Sequence, residues 1–164
     1  MKTHLDETEN GISQAENGIK NLKEVKLVYE PNIKMSTLPR VTQSNEIFKI
    51  LSSIWETDIF YIERFYCLFF NRNNRLLGYK MLSMGSQVAC VIETKTIFQA
   101  SILMHACSIA IAHNHPSGNL QPSDSDRNLT NKLVNGLKLF DITLLDHIIL
   151  SDETYFSFAD NGII

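Results

Sequence analysis

Two histidines one residue apart, a proline, and then a serine and an aspartate at fixed distances form the stretch richest in chemistry. It reads His113-Asn114-His115-Pro116-Ser117-Gly118, followed by Ser123 and Asp126. On extended backbone, alternate side chains share a face, so His113 and His115 point the same way. The apolar run at 107–112 places them where a buried strand ends. Pro116 stops further pairing, and Ser117-Gly118 turns the chain. Gln121-Pro122-Ser123 reads as a helix start, with Asp126 in the first turn, where its carboxylate can point back at the histidines. Two imidazoles, one carboxylate and an open fourth position match the ligand count of a catalytic zinc site. Zinc held there lowers the pKa of a water to about 7. A plainer reading stays open: Ser-x-x-Asp is also a capping box, and Asp124 and Asp126 suit a helix N-terminus with no metal. Capping does not explain the His-x-His-Pro that precedes it.

Those residues need elements to hold them. Residues 44–56 are helical by pattern, with Ile47, Ile50, Leu51, Ile54 and Trp55 at helical spacing. Residues 65–70 form a strand buried on both faces, 71–74 a turn, and 75–82 the antiparallel return. Strict alternation puts Leu77, Tyr79 and Met81 on one face of the return and Leu76, Gly78, Lys80 and Leu82 on the other. A third strand is expected at 87–92. A helix is expected at 94–106, capped by Thr94, with Ile97, Ala100, Ser101 and Met104 on one stripe and His105 at its C-terminal dipole. After the histidine strand, a helix from Ser123 to about Phe140 turns Leu129, Leu133, Leu137 and Phe140 inward. Strands at 142–150 and 154–158 complete the order. Strands and helices that alternate in this way predict an α/β domain, a mixed sheet with helices layered against it.

The 164 residues fit one domain plus a tail, and a hydrophobic fraction of 44% is enough for an ordinary core. Residues 1–40 read as a polar tail and linker, with one strand at 23–29, and residues 41–164 as the globular domain. A net charge of −3 makes nucleic acid an unlikely partner. Cys67, Cys90 and Cys107 are odd in number, scattered and each within an apolar run, which suits buried free thiols in a reducing cytosol. No apolar run reaches the roughly 18 residues of a membrane span, and no signal-peptide core is seen at the N-terminus, so a cytoplasmic protein without a membrane partner is expected. A homo-oligomer is compatible with all of this.

The sequence resembles the JAB/MPN (JAMM) metalloprotein superfamily, and within it the RadC-type branch. The match is carried by His113-Asn114-His115-Pro116-Ser117-Gly118, by Pro122-Ser123-x-x-Asp126, by Leu144-Leu145-Asp146-His147-Ile148-Ile149 and by Tyr155-x-Ser157-Phe158. It covers the chain from about residue 41 onward. The resemblance implies a three-layer α/β fold similar to cytidine deaminases, with helices on both faces of a mixed β-sheet. It implies one Zn2+ per chain bound by His113, His115 and Asp126, with Ser123 hydrogen-bonding the reacting oxygen. The implied activity is hydrolysis of a peptide or isopeptide bond, with a peptide or protein as substrate.

The family's general base is a glutamate on an earlier strand, and this chain departs there. Lys80 falls at or next to that position, and no Glu occurs between Glu63 and Glu93. An ammonium cannot accept a proton, so the base is unassigned, and Glu93 lies beyond the turn after that strand. A catalytically silent JAB module kept for partner binding is therefore the competing function. A DNA-linked role is suggested by the branch's name, but the sequence offers no basic stripe and no helix-hairpin-helix domain before residue 41. An HNH nuclease would spread its ligands over a ββα unit, and a zinc deaminase would need His-x-Glu with Pro-Cys-x-x-Cys. His147 is expected behind the ligands, oriented by Asp146, with a fourth-ligand role as the alternative.

Overall fold

Six apolar or aromatic side chains in a row, Phe65 to Phe70, make the centre of the sheet. β1 (Arg64–Phe70) is buried along its whole length, as is β3 (Ser108–Asn114), which pairs with it antiparallel. A strand buried on both faces has no polar alternation, which is why these segments read as continuous apolar runs. The computed structural model describes residues 34–55, 59–84 and 92–164. The expected tail strand at 23–29 lies outside these residues. So does the expected strand at 87–92, except for Ile92, which is in no strand.

The remaining elements are α1 (Ser44–Ile54), β2 (Leu76–Met84), α2 (Thr94–Leu103), α3 (Asp124–Lys138), β4 (Thr143–Leu150) and β5 (Tyr155–Ser157). The strands form one mixed sheet in the order β2-β1-β3-β4-β5. Among the described strands only β3 and β4 run parallel. A parallel pair needs a crossover, and α3 supplies it.

Two apolar layers sandwich the sheet. On one face Phe65, Cys67, Phe69, Ile109, Ile111 and Leu144 pack with Ile97 of α2 and with Leu133 and Leu137 of α3. On the other, Tyr66, Leu68, Phe70, Ala110, Ala112 and Ile148 pack with Ile47 and Leu51 of α1. This is the three-layer α/β architecture that the alternation of elements predicts, and it agrees with a JAB/MPN-like fold.

Several elements depart from simple periodicity. The register of β1 with β2 shifts at both ends, leaving Leu77 and Leu82 as extra residues. Alternation assigns these two leucines to opposite faces, yet both pack against the α2–α3 core. A bulge inserts one residue and so inverts the parity of everything beyond it. Helix α2 stops at Leu103, not at 106. His105 adopts φ 50°, and Ala106 N–H bonds back to Ser101 O, a left-handed closure that terminates the helix. Its N-cap is Glu93, not Thr94. Phe140 is exposed, against expectation, because α3 ends at Lys138 and the chain turns through Asp141 at φ 54°. Cys67 is buried and free, whereas Cys107 is exposed at the mouth of β3, so the expectation of buried thiols fails there. Burial pushes the Cys67 thiol well above its ordinary pKa.

One carboxylate fastens the last strand. Asp146 of β4 is buried and accepts from Ser157 Oγ at 2.7 Å, Ala159 N–H at 3.0 Å and His147 N–H at 2.7 Å. Burial raises its pKa, against the pull of these three donors. The charge is a cost and the acceptor geometry is the benefit. Asp146→Ala, which strands buried donors, should therefore lose about 2–4 kcal/mol, at roughly 1–3 kcal/mol for each group left unsatisfied. Asp146→Asn keeps an oxygen for the backbone donors and sheds the buried charge, so it should stay within about 1 kcal/mol of wild type. Urea denaturation at pH 7 measures both.

Candidate metal centre

The strand β3 ends with His113 fully buried and hands His115 to the loop that follows. Helix α3 starts at the same end of the sheet. Its N-cap is Ser123, whose Oγ accepts from Asp126 N–H at 3.2 Å while Asp126 Oδ2 accepts from Ser123 N–H at 2.7 Å. The capping box expected from sequence is present, and it does a second thing. It turns the Asp126 carboxylate back toward β3, because that carboxylate must reach the N-cap. Ser123 Oγ also donates to Asp126 Oδ2, at 2.6 Å.

The result is a cluster of His113, His115 and Asp126 whose ligand atoms lie within 4.8 Å of one another. His113 Nε2 and His115 Nε2 are 2.9 Å apart. His113 Nε2 is 3.2 Å from Asp126 Oδ1, and His115 Nε2 is 3.6 Å from Asp126 Oδ2. Tetrahedral bonds of roughly 2.0–2.2 Å place donors about 3.4 Å apart. The two nitrogens are 2.9 Å apart and each reaches one oxygen of the same carboxylate at 3.2 or 3.6 Å, so the donor set is of a size to close on a small divalent cation. Solvent reaches it from one side: the side chains of His115 and Asp126 are 19% and 12% exposed, that of His113 not at all.

The protons can be placed from the far ends of the network. Thr130 Oγ1 has a single hydrogen, and it goes to the carbonyl of Asp126 at 2.7 Å, since a carbonyl only accepts. Thr130 must then accept from His147 Nδ1, also at 2.7 Å. Burial holds His147 well below its ordinary pKa, so it is neutral and its Nε2 is bare. That nitrogen accepts from His113 Nδ1 at 2.9 Å, which places the His113 ring proton on Nδ1 and turns Nε2 to the cluster. On the other side, His115 Nδ1 donates to the Asn119 carbonyl, leaving neutral His115 bare at Nε2 as well. Two lone pairs and a carboxylate thus face one another. Only a cation, a proton or a metal ion, relieves that arrangement. Phe65 stacks on the His113 ring at 5.5 Å and Phe158 on the His147 ring at 4.5 Å, fixing both planes.

The sequence-selected residues fall as follows. His113, His115, Ser123 and Asp126 come together. His147 stands directly behind His113, held by Thr130 rather than by the Asp146 carboxylate, which takes the backbone N–H of His147 and not its ring. Lys80 is exposed on β2 opposite Cys67, which is itself opposite Ile111, one side-chain repeat short of His113. It lines a groove with Phe69, Thr96, Gln99 and Met104. Glu93 is exposed at the start of α2, accepting from Thr96 Oγ1. Thr130 and Asn119 escaped the sequence reading. Thr130 was within reach of it, since it lies four residues after Asp126 and hence on the same helix face. Asn119 acts through its backbone, for which no side-chain signal exists.

The metal-free protein should be most stable near pH 6.5, because burial keeps His147 neutral and only the unfolded chain takes up its proton as pH falls below about 6.5. The Asp126 hydrogen bond holds the His115 pKa above its ordinary value, so this contribution is complete below about 6.5 and fades as pH rises through the raised value. Burial would raise the Asp126 carboxyl, but the two imidazole rings and the Ser123 hydroxyl beside it outweigh that and hold the group well below the usual range. Its contribution is lost as pH falls below about 4. Denaturation midpoints of chelator-treated protein at pH 3, 6.5 and 9 should peak at 6.5, and His115→Gln should flatten the upper side.

Among the described residues no helix is long and apolar enough to cross a membrane. The family model of the RadC-like JAB domain matches residues 41–163. A UPF0758 protein of Flavobacterium johnsoniae is 32% identical over 126 residues, covering 77% of this chain and 54% of the relative. One of Chlorobaculum parvum is 38% identical over 102 residues, 62% of this chain and 46% of the relative. The UPF0758 protein YfjY of Escherichia coli K12 is 33% identical over 102 residues, 62% of this chain and 64% of the relative. The chain thus spans about half the length of most of these relatives. With the whole sheet, all three helices and the histidine–aspartate cluster inside the matched range, the chain belongs to the RadC-like JAB domain family.

Proposed function

We propose that this domain is a zinc-dependent hydrolase of the JAMM type, acting on the amide bond of a peptide or isopeptide. The observation that carries the reading is the convergence of two bare imidazole nitrogens and one carboxylate at a solvent-reached site. His113, His115 and Asp126 would hold one zinc ion, three protein ligands being the number that leaves a position free for chemistry. Zinc there supplies a Lewis acid that activates water near neutral pH and polarises a carbonyl. His147 and Thr130 keep the His113 proton on Nδ1. The Asn119 carbonyl does the same for His115. Ser123 is assigned to hydrogen-bond the oxygen of the reacting carbonyl with the hydroxyl that otherwise holds Asp126 Oδ2.

A second reading, a catalytically silent JAB module that binds a protein partner, is favoured by Lys80. At that position the family resemblance implies a glutamate, and the lysine here is exposed beside a groove.

Two measurements separate these readings and test the site. Purified protein supplied with zinc should hold about one ion per chain by elemental analysis, and His115→Ala should lose it. Cleavage of isopeptide-linked or extended peptide substrates should vanish with a chelator and return with zinc. Bound zinc without any cleavage would select the silent module. Removing the support behind the ligands should matter too: His147→Ala should weaken zinc binding about 10–100-fold in a competition titration, since the His113 ring then loses its tautomer and its orientation.

A further inference from the structure

A carboxylate outside the cluster lies just beyond the paired end of the neighbouring strand. In the antiparallel β1–β3 pair, Phe65 is opposite His113. The two rings stack, so both project from the α3 face. The paired register ends there; extending it by two residues, past the ends of both strands, sets Glu63 against His115 on that same face. Directly opposed residues of antiparallel strands have Cβ atoms about 4.5–5.5 Å apart.

Glu63 lies one residue before β1, and a clamp keeps it in line. The side chain of Asn114 is fully buried. Its Oδ1 accepts from Arg64 N–H at 2.8 Å. Its Nδ2 donates to Ile62 O at 3.0 Å and to Ile59 O. Asn114 sits between the two histidines, so the residues flanking Glu63 are tied to the backbone that carries His113 and His115. Glu63 is half-buried and is among the charges close enough to act on His115.

We infer that Glu63 is the proton acceptor of this site, which lacks a carboxylate at Lys80. The inference rests on the hydrolase reading above. The Glu63 carboxylate takes a proton from the attacking water as the new C–O bond forms at the amide carbon. It returns that proton to the amine nitrogen as the C–N bond breaks. No oxidant or further reactant is consumed. A base must come within about 3 Å of the proton it takes, or act through one water, and the extended register sets Glu63 one strand spacing from His115, within that reach.

The test uses Co(II) as a visible probe of the cluster and acetohydroxamic acid as a ligand whose acidic proton needs an acceptor. Full-length wild type and Glu63→Gln are loaded with Co(II) and titrated with acetohydroxamic acid, following the visible spectrum. Both proteins should take up Co(II) with affinities within about threefold, since Glu63 is not among the converging ligands. Glu63→Gln should then bind the hydroxamate about tenfold or more weakly, and Glu63→Asp should recover part of the loss. Equal hydroxamate titrations in wild type and Glu63→Gln would overturn the inference and leave the metal reading standing. A large loss of Co(II) affinity in Glu63→Gln would also overturn it, making Glu63 a ligand. Failure of wild type to take up Co(II) would remove the metal reading itself, and this inference with it.

Discussion

A single hydroxyl proton sets the polarity of the whole site. Thr130 gives it to the carbonyl one helical turn behind, that of Asp126, and so can only accept from His147. From there each proton position follows: Nδ1–H on His147, Nδ1–H on His113, and a bare Nε2 on His113 aimed at the cluster. The same turn of α3 supplies the carboxylate that the bare nitrogen faces. One bond inside a helix therefore couples the acid ligand to the tautomer of the base ligand. It depends on His147 being neutral, and full burial against Phe158 keeps it neutral.

The rest of the domain can be understood as what holds those atoms still. β3 must be buried on both faces to present His113 in a dry position, and the two apolar layers do that. The parallel β3–β4 pair brings His147 alongside Ile111, next to the histidine it orients. Asp146 then anchors β4 to β5 and to the turn that delivers Phe158 onto the His147 ring. The capping box of α3 and the Asn114 clamp lie at the same end of the sheet. Polar groups with demanding hydrogen-bond geometry are thus concentrated where precision matters. The opposite end is closed by ordinary turns.

Much of this was legible beforehand. The continuous apolar runs gave away β1 and β3, since neither face of such a strand needs a polar residue. His113, His115, Ser123 and Asp126 were readable together because extended backbone and a helix start fix their directions locally. What escaped the sequence depends on contacts between distant segments. Leu77 and Leu82 share a core only because two bulges shift parity, and nothing in eight residues announces a bulge. The early end of α2 is set by a left-handed His105, while the apolar stripe runs on through Met104. Glu63 was visible as a residue, but its placement opposite His115 follows from a strand register that no local pattern encodes.

The central claim is that both ligand histidines carry a proton on Nδ1 and turn a bare Nε2 to the cluster, held so by partners on their Nδ1 sides. Long-range 1H–15N correlation spectra of protein labelled on histidine nitrogen, metal-free and above the raised pKa of His115, test it most directly. His113, His115 and His147 should all appear as Nδ1–H tautomers. The unprotonated Nε2 resonances of His113 and His115 should shift on adding zinc, while that of His147 stays hydrogen-bonded to His113. An Nε2–H tautomer at His113 or His115 would contradict the account, because the nitrogen facing the cluster would then be a donor with no lone pair for a metal.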